Sequence, residues 1–203
     1  MAAKASPFHD LIVDIQQLKD HRDPAPLFGH LDGDLLNGEY HFTSSEKTLT
    51  FMSRRIENAC FADPGRCSLY SVFRRLSLLE PHLEHYHKLA EVARHIYVIG
   101  RPDIEVEPWA NSVEVLTAKA DLLANNWMTI NISRDIHMTL LAEELPPEEG
   151  EEPEVRHYVG FYTDSRALTR RVIRQLVEMG VIGQPELFGE EQLEFGDELG
   201  TAQ

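Results

Sequence analysis

The sequence predicts an α/β sandwich, a mixed parallel and antiparallel sheet flanked by helices. Three observations predict it. In the first half, stretches with helical apolar spacing alternate with short β-branched runs, the pattern of strand–helix–strand units. In the second half, an alternating strand, a turn and a returning arm follow one another, which signals antiparallel pairing. A strongly amphipathic helix then closes the pattern. With 203 residues, 42% of them apolar, a single domain with extensions has ample material for a core.

Each element has its own justification. Phe8, Leu11, Ile12, Ile15 and Leu18 fall on one stripe of a helix, with Ser6 placed to cap it and Pro7 at its first position. Residues 20–38 hold two Pro and three Gly among polar side chains and read as a linker. The helix before that linker therefore docks on the body or on a second copy of the chain. Residues 43–60 form the next helix, capped by Ser44 or Ser45, with Leu49, Met52, Ile56 and Cys60 on one face. An Ala-Asp-Pro-Gly break at residues 62–65 ends it, and residues 68–73 form a strand. Pro81 opens a helix to about residue 94, lined by Leu83, Tyr86, Leu89, Ala90 and Ala93. Residues 95–100 are the apolar run of a buried parallel strand, and residues 113–116 a third, shorter strand. Residues 127–132 alternate as a strand, 133–136 turn, and 137–144 return as the second arm. An acidic loop at 146–153 and a strand at 157–162 lead into a final helix at 165–179. Leu168, Val172, Leu176 and Met179 face inward on it, Arg166, Arg170 and Arg174 form an outer row, and Gly180 stops it.

The formal net charge of −15 is unevenly spread. Residues 143–154 carry seven Glu and residues 186–203 six further acids, neither with a compensating base. The remainder holds 21 acids against 19 bases. The acidic balance argues against nucleic acid and anionic membranes as partners, because both select basic surfaces. No apolar run reaches bilayer length, and acids at Asp10 and Asp14 interrupt any signal-peptide core. The expectation is a cytoplasmic protein whose two cysteines, Cys60 and Cys67, stay reduced, since they form neither a disulfide framework nor a Cys-x-x-Cys motif.

Motifs for chemistry are sparse. There is no Gly-x-Ser-x-Gly and no Gly-rich phosphate loop, and no cofactor is expected. His82 and His85 are spaced i, i+3 and are the best metal candidates, weak ones. His87 points about 140° away around the helix from His82. The cluster matches neither His-Glu-x-x-His nor His-x-x-Glu-His. The arginines are more informative. Ligands of open α/β sheets sit beyond the carboxyl ends of parallel strands. The first strand runs out into Phe73, Arg74 and Arg75, the second into Gly100 and Arg101. If these strands are parallel neighbours, Phe73, Arg74, Arg75 and Arg101 gather at one edge, where they would hold a small anionic or aromatic ligand. Phe8, Leu11, Ile12 and Ile15, with Arg166, Arg170 and Arg174, are the candidate surfaces for contact with a signalling partner or a second copy.

Several segments, in order, resemble one family. Residues 41–45 (His-Phe-Thr-Ser-Ser) through 53–57 (Ser-Arg-Arg-Ile-Glu) look like the opening helix of the DICT sensory domain. Residues 69–73, 86–90, 96–98, Trp127 at the head of its strand, and 159–164 (Val-Gly-Phe-Tyr-Thr-Asp) continue the likeness across residues 40–180. The resemblance implies a sensory module of the kind found in diguanylate cyclases and two-component systems. It implies signal transduction, with a stress or light response among the roles, and it transfers no catalytic or ligand residues. The strand order also faintly resembles the phospholipase-D-like sandwich, but Tyr86 stands two before Lys88 where that motif needs His.

The expected organisation is an N-terminal helix and linker at 1–39, a DICT-like domain at 40–183 and an acidic tail at 184–203. The expected function is non-enzymatic: a sensor that binds a small ligand or partner and relays a signal through protein contacts. The alternatives are a hydrolase or metalloenzyme with a His/Glu site and an acidic interaction scaffold.

Overall fold

A computed structural model describes residues 6–13, 40–146 and 156–184. One sheet of seven strands organises them: β1 (Tyr40–Ser45), β2 (Ser68–Arg75), β3 (His95–Arg101), β4 (Val113–Leu116), β5 (Asn126–Ile132), β6 (His137–Glu144) and β7 (His157–Thr163). Their order across the sheet is β1-β7-β6-β5-β2-β3-β4. β2, β3 and β4 run parallel, and the other neighbours pair antiparallel, so the sheet is mixed as the sequence predicts.

Helices cover both faces. On one face α1 (Glu46–Asn58) lays Leu49, Met52 and Ile56 over Leu140, Ala142, Tyr158 and Tyr162 of β6 and β7. On the same face α2 (Leu83–Ala90) lays Tyr86 and Leu89 over Leu69, Ile96 and Val98 of β2 and β3. The opposite face carries α3 (Arg166–Glu178), whose Val172, Ile173 and Leu176 pack on Met128, Ile130, Leu141 and Phe161. Ser165 caps α3 by accepting from the Leu168 amide, and Gly180 ends it at φ +67°, a left-handed conformation that a glycine adopts without strain.

Residues 9–13 are helical and join this second layer. Phe8, Leu11 and Ile12 are buried in the same core as α3. Ser6 Oγ accepts from the Phe8 amide, and Gln175 of α3 donates to the Pro7 carbonyl. Of the two destinations open to this helix, the structure has it docked on the body. Phe8, Leu11 and Ile12 are therefore core residues, not a surface stripe for a partner. Ile15, Leu18, the linker, the acidic residues 147–155 and the tail from 185 lie outside the described residues.

Two boundaries differ from the sequence reading. Residues 43–45, read as helix, belong to β1, and Ser45 is the extended residue ahead of α1 with no side-chain capping bond. Pro81 sits inside a 3-10 turn (Leu76–His82), and the α-helix runs only from Leu83 to Ala90. There the chain bends back: the Arg94 and His95 amides donate to the Cys67 carbonyl, which starts β3 beside β2. Among the described residues no helix is long and apolar enough to cross a membrane.

Candidate functional site

α1 and α2 cover different halves of one sheet face, and β2 and β5 floor the seam between them. Strand alternation puts Leu69, Ser71 and Phe73 of β2 on that face together with Asn131, Thr129 and Trp127 of β5, Leu69 opposite Asn131 and Ser71 opposite Thr129. The other sides of the same strands carry Tyr70, Val72, Met128, Ile130 and Ile132 toward α3. The polar side of β5 thus faces a helix, and it bonds that helix. Trp127 Nε1 and Thr129 Oγ1 each donate to Ser53 Oγ of α1 at 2.8 Å. Asn131 Nδ2 donates to the Ile56 carbonyl at 2.9 Å and to Cys60 Sγ at 3.3 Å.

Where the two helices diverge, the seam opens into a cleft of about 80 Å³, several times the space one water needs. Phe73 and Trp127 give it aromatic surface, and Ser71 and Thr129 lie on its floor. α1 contributes Arg54 and Glu57, the 3-10 turn His82, and α2 Tyr86. Arg74 and Glu144 stand toward the ends of their strands.

Glu57 is the electrostatic centre. Its side chain is only 7% exposed. A buried carboxylate is tolerated only when charge and hydrogen bonds compensate the lost water. Tyr86 Oη donates to it at 2.8 Å, Arg54 Nη1 lies at 3.3 Å and His85 Nε2 at 3.2 Å. Complete burial, and then the Glu57 charge, push the Tyr86 hydroxyl well above the usual tyrosine pKa, so it stays a donor. Arg54 Nη2 lies 3.1 Å from His82 Nδ1. A guanidinium only donates, so Nδ1 accepts and the neutral ring carries its proton on Nε2. Burial first, and then the Arg54 charge, lower the His82 pKa and keep it neutral.

The strand ends are also paired. Arg156 Nη1 reaches both Glu144 oxygens at 3.0 and 3.1 Å, with Arg74 Nη1 at 3.9 Å. Tyr158 stands edge-on to Trp127, centroids 5.8 Å apart.

The sequence-predicted residues divide accordingly. β2 and β3 are parallel neighbours, as the edge site requires, but the register shifts between Phe73 and Arg75. Phe73 and Arg74 line the cleft. Arg75 lies 3.8 Å from Asp103, and Arg101 lies 3.8 Å from Asp121 while donating to the Arg74 carbonyl. The four residues therefore do not form one pocket. His82 and His85 both turn toward α1, one to Arg54 and the other to Glu57, and do not converge on a shared point. Among the described residues no three His, Cys, Asp or Glu are grouped to hold a metal ion. Arg166 and Arg174 are exposed on α3, and Arg170 is half-buried.

Arg54, Glu57 and Trp127 are the cleft residues that sequence reasoning missed. A signal existed for them. Arg54 and Glu57 are an i, i+3 pair flanking the apolar face of α1, and Trp127, Thr129 and Asn131 form a polar side on a strand whose other side carries Met128, Ile130 and Ile132.

Compared with known families, residues 32–145 match the model of DICT, described as a sensory domain in diguanylate cyclases and two-component systems. No curated protein and no solved structure gives a match.

Proposed function

The chain belongs to the DICT family of sensory domains, and from that membership we propose that it senses by binding a small ligand in the cleft between α1 and α2. It relays occupancy to a partner protein and catalyses no reaction of its own. One observation carries this reading: the cleft lies where two independently packed halves of one sheet face meet. A ligand there touches α1, the 3-10 turn and both central strands at once, so its binding biases how the halves sit together. Aromatic surface beside a few fixed polar groups is the usual make-up of a small-molecule site.

Screening small ring compounds by tryptophan fluorescence and thermal shift tests it. Compounds that bind should lose affinity at least tenfold in Phe73→Leu and in Arg74→Ala. Arg75→Ala and Arg101→Ala, which alter residues off the cleft, should leave binding unchanged. Loss of binding in the second pair with retention in the first would return the site to the strand edge and overturn the cleft.

A further inference from the structure

Resting on the cleft as the ligand site, we infer that its ligand is a neutral, planar heterocycle of one or two rings whose edge carries carbonyl or ring-nitrogen acceptors. Charge decides against an ion. Glu46, Glu57 and Glu144 line the cleft, and Arg54 and Arg74 line it with them. Arg156, forked onto Glu144, supplies a third guanidinium. Three carboxylates and three guanidiniums cancel, and His82 is neutral by the geometry of its bond to Arg54. An anionic or cationic ligand would lose its hydration in the cleft without a net opposite charge to replace it.

Hydrogen bonding sets the second requirement. The carboxylates of the cleft already face donors, cations or water. Glu57 accepts from Tyr86 and has the Arg54 and His85 nitrogens within 3.3 Å, and Glu144 takes Arg156 on both oxygens. Glu46 is exposed to water at the start of α1. The donors differ. His82 uses Nδ1 on Arg54, which leaves the Nε2 proton to donate. Arg54 has five N–H groups; Nη2 serves His82, while the buried Nη1, 3.3 Å from Glu57, has no hydrogen-bond partner among the described residues. Among the described residues the Arg74 guanidinium meets Glu144 at a long 3.9 Å. A donor-rich, charge-balanced site selects acceptors that carry no charge. Phe73 and Trp127 supply the apolar faces that a flat ring covers.

The test uses the full chain carrying Trp109→Phe, which leaves Trp127 as the single tryptophan. The probes are 4-quinazolinone and hypoxanthine as neutral acceptor-bearing rings, benzoate as an anion, benzamidinium as a cation and indole as a ring with a donor but no acceptor. The two neutral heterocycles should quench Trp127 saturably and bind at least tenfold tighter than the other three. Exchanging His82 for Phe, which keeps a ring and removes the Nε2 proton, should weaken them at least fivefold. Comparison among probes on the unaltered cleft keeps the test valid should that variant fold poorly. Preferential binding of benzoate, benzamidinium or indole would overturn the ligand class and leave the cleft itself standing. Failure of all five probes to change Trp127 emission would overturn the class, and the ring-compound screen then decides whether the cleft reading falls with it.

Discussion

Glu57 shows how one residue binds two elements together. It belongs to α1, yet two of its partners, His85 and Tyr86, come from α2. Its carboxylate is tolerable in the interior because each partner was placed by a separate packing decision. Tyr86 is held by the α2 core, Arg54 by one turn of α1, and His85 by the Phe61 ring, 6.2 Å from its own. The surface pair of His9 and Glu143 works differently, because water reaches it: the His9 side chain is half exposed. His9 Nδ1 lies 2.9 Å from Glu143 Oε2. That hydrogen bond, and then the Glu143 charge, raise the His9 pKa above its ordinary 6.5. A raised folded-state pKa means the contribution is fully present below the unfolded value and is lost as pH rises through the folded one. His82 runs the other way. Its lowered pKa gives stability that is present above the unfolded value and lost as pH falls. His9→Gln removes the first effect and leaves the second. The melting-temperature gap between parent and His9→Gln should therefore be widest near about pH 5.5 and close by about pH 8.5. A gap that is constant across that range would remove the pair from the pH response.

At the scale of elements, β6 and β7 approach so closely that only glycine fits at position 160. A Cβ there would lie 2.2 Å from the Leu141 carbonyl oxygen and 2.6 Å from Ala142 Cα. Both are backbone atoms of a central strand and cannot swing aside. Strand propensity alone predicts that alanine improves on glycine. The contact reverses that sign, and Gly160→Ala should destabilise the fold by about 1–3 kcal/mol through strand displacement. Urea unfolding checks it, and an alanine variant as stable as the parent would contradict the packing. Periodicity made most elements legible: the strands β2 and β3, the β5–β6 hairpin and the inward side of α3 all follow from the spacing of apolar residues, while the parallel pairing of β2 with β3 stood only as a condition for the edge site. β1 was not legible, because residues 43–45 are hydroxyl-bearing and read equally well as the lead-in to a helix. The site was half legible. Chain direction brings Phe73 and Arg74 to the end of β2, but the register shift that sends Arg75 elsewhere depends on pairing with β3 and leaves no trace in residue order. The alternation of β5 separates two sides of a strand without saying that α1 covers the polar one.

At the scale of the whole molecule, the folded unit is larger than the segment the family model matches. That match ends at residue 145, ahead of β7 and α3. β1 lies inside it, yet its neighbour in the sheet is β7, which lies outside. A chain of residues 32–145 would leave β1 without that neighbour and turn β6 into an open edge. It would also strip the α3 face of the sheet. Phe8, Leu11, Ile12, Phe161, Val172, Ile173 and Leu176 are all buried there, and all lie outside the match. Burial of each such side chain is worth about 1.5–3 kcal/mol. Seven of them together rival or exceed the 5–15 kcal/mol by which a typical domain is stable. Residues 32–145 produced alone should therefore lack a cooperative urea transition and dispersed amide proton resonances, whereas residues 6–184 should show both. The exposed sheet face should bind a hydrophobic dye in the short chain and not in the long one. A cooperative transition in residues 32–145 would mean that β7, α3 and the first helix are additions to a core that stands without them.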